Sequence, residues 1–137
     1  MAAIQGAVDA GLYSALAAGT ALAAACGSHI YEGAAPAGVT GDVVIFRWTG
    51  GGPEPLRQVR DVEVQYLVEY VSDSQPRALS GAGLIDDVLD GAALTVSGWN
   101  VDVCENAGLF SLDEPATGGQ WYYRRGAYYR IVMDEGT

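Results

Sequence analysis

Lysine is absent from this sequence, and histidine occurs once, at His29. The cations are seven arginines set against 17 acidic residues, for a formal net charge of −10. That balance excludes sequence-independent binding to a phosphate backbone, which needs clustered cations that displace counterions. An acidic surface repels nucleic acid instead, as the wall of a conduit for DNA must. Cysteine is scarce as well. Cys26 and Cys104 are too few for a disulfide framework and have no CxxC spacing, so they read as buried, reduced thiols. A lone histidine leaves no His-based metal constellation, and a catalytic triad would rest on His29 alone. An export signal requires a basic start, an apolar run and a small-residue cleavage site. The opening MAAIQGAVDAG carries Asp9 and no cation, and the following run offers only Leu12, Tyr13, Leu16 and Leu22 among Ala and Gly. Only the small residues before Cys26 fit, and Ala23 stands where a lipoprotein signal usually has Leu. The run is also shorter than the roughly 20 strongly apolar residues that span a bilayer.

What is present is a globular composition: 137 residues, 50% hydrophobic and 18% charged. That is one domain's worth of chain, expected to be a single domain over 1–137. Ile4, Val8, Leu12 and Leu16 recur at every fourth position, the core stripe of an Ala-rich helix. Gly19-Thr20 punctuates it, with Thr20 expected as N-cap of a short helix over 21–26 and Gly27 as its left-handed stop. His29-Ile30-Tyr31 then extends into a Gly/Pro/Ala loop. DVVIFRW, residues 42–48, is dense in β-branched and aromatic residues and reads as a strand. Residues 61–70 alternate: Val62, Val64, Tyr66, Val68 and Tyr70 form a core face, and Asp61, Glu63, Gln65 and Glu69 a wet, acidic one interrupted by Leu67.

Past the break at 72–76, apolar residues return at helical spacing near 76–91, weakened by Gly81 and Gly83. A third strand signal covers 94–104, and 105–119 reads as turn-rich. QWYYRRGAYYRIVMD, residues 120–134, is an aromatic strand with Gly126 as a bulge or close-approach point. The expected fold is α+β: a mainly antiparallel sheet of about four to five strands, flanked by an N-terminal helix and a second helix near 76–91. The strands at 61–70 and 120–134 are longer than such a domain needs, which suggests protruding hairpins.

The conspicuous residues do not assemble into chemistry. Thr49-Gly50-Gly51-Gly52-Pro53 lacks the Lys-Ser/Thr ending of a phosphate loop and reads as a hairpin connection. Asp86 and Asp87 are adjacent, point in different directions around a helix and read as its solvated face. Arg124 and Arg125 among tyrosines could stack on bases, but the acidic balance favours ion pairs between subunits. Neither an enzyme nor a bound cofactor or metal is expected.

Order and spacing of several motifs resemble the tail terminator, or tail completion, proteins of long-tailed, siphophage-like bacteriophages. The resemblance rests on GLYSALAAGTALAAACGSHIYEGAAP (11–36), VVIF (43–46), VEVQYLVEY (62–70), LIDDVLDGAALTVSGW (84–99) and YYRIVM (128–133). Relatives commonly carry Pro-Tyr before the strand that begins here at Val43, where this chain has Gly41-Asp42. The resemblance implies a structural virion protein made in the host cytoplasm and placed at the head-proximal end of the tail. Its partners would be further copies of itself, as a homohexameric ring with a head-to-tail interface, the tail tube protein, and head–tail connector or adaptor proteins. The ring would cap the tube, end elongation, join tail to head connector and let DNA pass through an acidic bore without specific binding; no membrane is involved. Candidate contact residues are Trp48, Glu54, Arg57, Phe110, Trp121, Arg124 and Arg125. A head–tail connector or a tail tube subunit is the nearest alternative. More distant ones are an exported lipoprotein or ligand-binding module, and an enzyme built on His29 with Cys104 or a carboxylate.

Overall fold

Alanine is the best helix former, and the first helix is rich in it. The computed structural model describes residues 2–51 and 61–135. In it, α1 runs Ala2–Ala18 and buries Ile4, Val8, Leu12 and Leu16 against the rest of the chain. The chain turns by 87° at Gly19 into α2, Thr20–Cys26. Gly19 itself is the N-cap, and Thr20, expected to cap, is the first helical residue. The reason is space: a Cβ on Gly19 would lie 2.6 Å from a methyl of Val88, so the corner admits no side chain. Gly27 closes α2 in the left-handed region at φ 61°, as its position promised. No single helix among the described residues is long and apolar enough to cross a membrane.

Five strands form one sheet: β1 Ile30–Glu32, β2 Val43–Gly51, β3 Asp61–Ser72, β4 Trp99–Pro115 and β5 Trp121–Glu135, in the spatial order β1-β2-β3-β5-β4. Only β1 and β2 run parallel; the other neighbours are antiparallel. The fold is thus α+β with a mixed, mostly antiparallel sheet. Helix α3, Gln75–Leu89, begins at Ser74, whose hydroxyl accepts from the Arg77 N–H, with Pro76 in the first turn. It lies across β3 and β5.

The core forms between the helices and one face of the sheet. Val62, Val64, Tyr66, Val68 and Tyr70 of β3 are all buried there, beside Ala127, Tyr129, Ile131 and Met133 of β5 and Val44 and Phe46 of β2. The second face of β3 departs from expectation. Glu63 and Gln65 are exposed, but Leu67, Glu69 and Val71 are buried. The loop joining β1 to β2 folds over this end, packing Ala35 and Val39 on Val43, Ile45 and Val71 as a second small cluster.

Two glycines mark close approaches. A Cβ on Gly126 would sit 2.0 Å from the Val68 carbonyl, and one on Gly81 would sit 2.2 Å from the Tyr70 ring. Gly126 is therefore a close-approach point, and its pairing with Glu69 continues the ladder without a bulge.

The C-terminal half differs most from the sequence expectation. The strand predicted over 94–104 starts at Trp99, after a turn in which the Trp99 N–H donates to Val96 and Gly98 takes φ 84°. It then continues through the supposedly turn-rich 105–115. Register shifts between Val101 and Val103 and between Asn106 and Gly108 break its alternation, so periodicity could not reveal it; pairing with β5 imposes the extended state. Nor do long hairpins protrude. β3 and β5 pair from Asp61↔Asp134 to Ser72↔Tyr123, and the length is absorbed inside the sheet.

Candidate functional site

Among the described residues, no group of three or more His, Cys, Asp or Glu side chains could hold a metal ion. His29 is half-buried and stacks on Tyr31 with ring centroids 6.3 Å apart. Both thiols are free and buried. Burial pushes the Cys26 thiol up, and pushes Cys104 up to about 12, with Asp90 and Glu105 adding repulsion. At neutral pH both are protonated and poorly nucleophilic. Cys26 ends α2 inside the core, packed rather than presented.

Carboxylates instead do structural work on the helical side. Buried phenols on β3 and β5 each reach one: Tyr66 donates to Asp9 of α1, Tyr129 to Asp86 of α3 at 2.8 Å, and Tyr70 to Asp42 at 2.9 Å. Burial, then the hydrogen-bonded carboxylate, raises the pKa of all three phenols. Asp86 also accepts from the Asn106 amide at 2.9 Å, so it ties β4 and β5 to α3. Only Asp87 of the Asp86-Asp87 pair is on the solvated face. Asp42 also pairs with Arg77 at 3.2 Å and so locks the entry to β2 onto the start of α3.

The other face of the sheet carries no helix and shows two Glu–Arg–Glu bridges across three strands. Arg124 on β5 links Glu69 of β3 to Glu114 of β4, the latter at 2.7 Å. Arg130 links Glu63 of β3 to Glu105 of β4, the latter at 2.6 Å. Burial opposes the Arg124 charge, yet Glu114 and Glu69 raise its pKa above the usual value. Glu69 is 1% exposed, and its Oε2 has no hydrogen-bond partner among the described residues. Arg125 bonds Asp113 at 2.7 Å and donates to the Arg124 carbonyl, with its guanidinium 5.8 Å from the Tyr123 ring centroid. Both arginines of the Arg124-Arg125 pair are thus engaged inside the chain, with acidic partners from neighbouring strands.

Phe110, Trp121, Arg124 and Arg125 come together on the β4–β5 hairpin. Trp121 is 48% exposed at its end, and Phe110 packs edge-on against Tyr128. Trp48 lies apart, half-buried and edge-on to Tyr66 on the core side. Glu54 and Arg57 fall outside the described residues. Sequence reasoning missed four exposed positions on this sheet. They are Arg47 on β2, Leu109 and Leu112 on β4, and Tyr122, whose partner across the hairpin is Glu114. The signal available was an apolar Leu-Phe-Ser-Leu run in a segment that looked like a turn.

Between the β1–β2 loop and the hairpin lies a groove of about 500 Å³ floored by Val43, Ile45 and Val71 and edged by Arg47, Tyr122 and Arg124. The outer edge of β4 pairs with no strand among the described residues. An open edge of this length is a surface on which extended chain can add. Exposed aromatics, an apolar groove and a strand edge unpaired among the described residues are features that protein contact surfaces share.

No protein-family model matches the chain, and no curated protein does. Among solved structures, a chain from the virion of the native gene transfer agent (GTA) particle superimposes with a TM-score of 0.74 at 18% identity, covering 96% of this chain and 97% of that one. A second solved structure, whose name states no function, gives a TM-score of 0.59 at 12% identity over 97% and 96% of the two chains. At these identities the likeness is one of fold, and in both cases it spans nearly the whole length of each chain.

Proposed function

We propose that this chain is a structural virion protein that forms a ring on the end of a phage-type tail tube, ends tube elongation and joins the tail to its head connector. The observation that carries the reading is the near full-length fold match to a chain of the GTA virion, 96% of one on 97% of the other. The sequence motifs that resemble tail terminators support the finer role. So does the site, where aromatic and apolar residues suited to protein contact are exposed and Arg124 and Arg125 are held by carboxylates of neighbouring strands. The ring is a homohexamer with a heterologous interface, and Trp121, Phe110 and the flanking arginines of the hairpin lie on its contact surface. The excess of acid, −10 per chain, repels DNA within the bore and leaves it free to slide.

Native mass spectrometry of the chain, followed by electron microscopy of tails assembled with and without it, tests the reading. A six-copy ring, with overlong or headless tails when the protein is omitted, is the expected result. Absence of any tails on omission would reassign the chain to the tube, and tails of normal length that fail to join heads would reassign it to the connector.

A further inference from the structure

Opposite faces of the sheet carry unlike surfaces. On the helix-free face, the groove over Val43, Ile45 and Val71 has Arg47 at its rim. Arg77, Arg124, Arg125 and Arg130 are all in ion pairs within the chain, whereas Arg47 is exposed with no ion pair among the described residues. On the helical face, α3 and the edge strand β4 form an apolar shoulder. Leu109 is 86% exposed there and Leu79 is 54% exposed, on either side of a shallow pocket that also touches Gly83. A Cβ added at Gly83 would meet nothing within 4 Å, so the helix surface is open at that point. Eight residues after Leu79 on the same helix, Asp87 is exposed and has no hydrogen bond or ion pair among the described residues.

We propose that copies of this chain associate head to tail by seating the Leu79–Leu109 shoulder of one copy in the groove of the next, with Asp87 facing Arg47. This rests on the ring reading above and names the surfaces that make the ring. Charge complementarity selects the occupant: among the described residues the groove offers an unpaired guanidinium and the shoulder an unpaired carboxylate, each beside apolar surface that water does not favour. Pairing like with like would set Asp87 against Asp87 or Arg47 against Arg47, which disfavours a two-fold dimer through either surface. Because the two surfaces lie on opposite faces of one rigid sheet, the contact is heterologous and propagates from copy to copy until it closes.

Light scattering after size exclusion tests this on four samples: the full chain, Arg47→Glu, Asp87→Arg, and an equimolar mixture of the two variants. The side chains are exposed, and circular dichroism with thermal melting verifies that each variant stays folded. The expected result is that each variant alone needs about tenfold more protein to form rings, and that the mixture forms them as readily as the full chain. The mixture recovers because every interface in an alternating ring then joins opposite charges. Rings from both single variants at the unaltered chain's concentration would overturn this interface and leave the ring reading standing, as would two dissociated variants that fail to recover on mixing. A full chain that stays monomeric with or without tail tubes would overturn the ring reading and this interface together.

Discussion

Two glycines in one helix have opposite roles. Gly81 of α3 faces the Tyr70 ring at a distance that leaves no room for a methyl, whereas Gly83 faces open space. Gly81→Ala is expected to destabilise the chain by about 1–3 kcal/mol through overpacking, while Gly83→Ala stabilises it by up to about 1 kcal/mol through helix propensity. Urea unfolding of the two variants checks both signs. The phenol–carboxylate pairs set a pH dependence. Below about pH 10 the phenols of Tyr66, Tyr70 and Tyr129 are protonated in folded and unfolded chains alike. Above it the unfolded chain releases protons that the folded chain, with its raised pKa values, retains. Unfolding is then favoured as pH rises, by up to about 1.4 kcal/mol per pH unit for each phenol. Stability measured from pH 7 to 11 should be flat to about pH 8.5, fall as the unfolded chain releases thiol protons that the buried Cys26 and Cys104 retain, and fall more steeply above about pH 10 as the phenols add their share. Tyr129→Phe should lower the plateau by about 1–3 kcal/mol, since Asp86 loses a partner, and make the alkaline fall shallower.

Across elements, β5 is held to its neighbours on the helix-free face by Arg124 and Arg130. The two bridges differ in burial, which decides their energetic weight. Arg130 and its partners are exposed and screened by solvent, so breaking that bridge should leave stability nearly unchanged. Glu69 is buried with one oxygen unpartnered among the described residues, and removing Arg124 takes away the counter-charge they supply to its carboxylate. Arg124→Leu is therefore expected to cost about 3–5 kcal/mol, and the pair Glu69→Leu with Arg124→Leu to recover most of that loss. A double-mutant cycle by chemical denaturation measures the coupling. At the same scale, Asp42 holds β3, the β2 entry and α3 together through Tyr70 and Arg77.

For the whole molecule, the thiols report on the integrity of the core. Cys26 lies where α2 meets the sheet, and Cys104 lies under α3 on β4, paired across the ladder with Ile131. Neither should react with a thiol reagent in the native chain at pH 7, and both should react at once in denaturant, with protection lost along the same unfolding curve as the tyrosine signal. Assembly belongs to this scale too. The chain buries its long strands against each other and, among the described residues, leaves open the groove and the shoulder that are proposed above to join copies, and the β4 edge.

Wherever burial follows a simple period, the sequence alone determined the structure. The Ile4–Val8–Leu12–Leu16 stripe, the alternation from Val62 to Tyr70, and the left-handed stop at Gly27 are dictated by local sterics and hydrophobic spacing. Tertiary structure decided the rest, because the deciding partners are distant in the chain. Glu69 is buried beside Arg124 of another strand, and Asp86 is made structural by Tyr129 and Asn106. β4 is extended because β5 pairs with it through two irregularities that erase its period. A carboxylate on a strand has the same local pattern whether it meets water or a guanidinium, and only the packed sheet chooses between them.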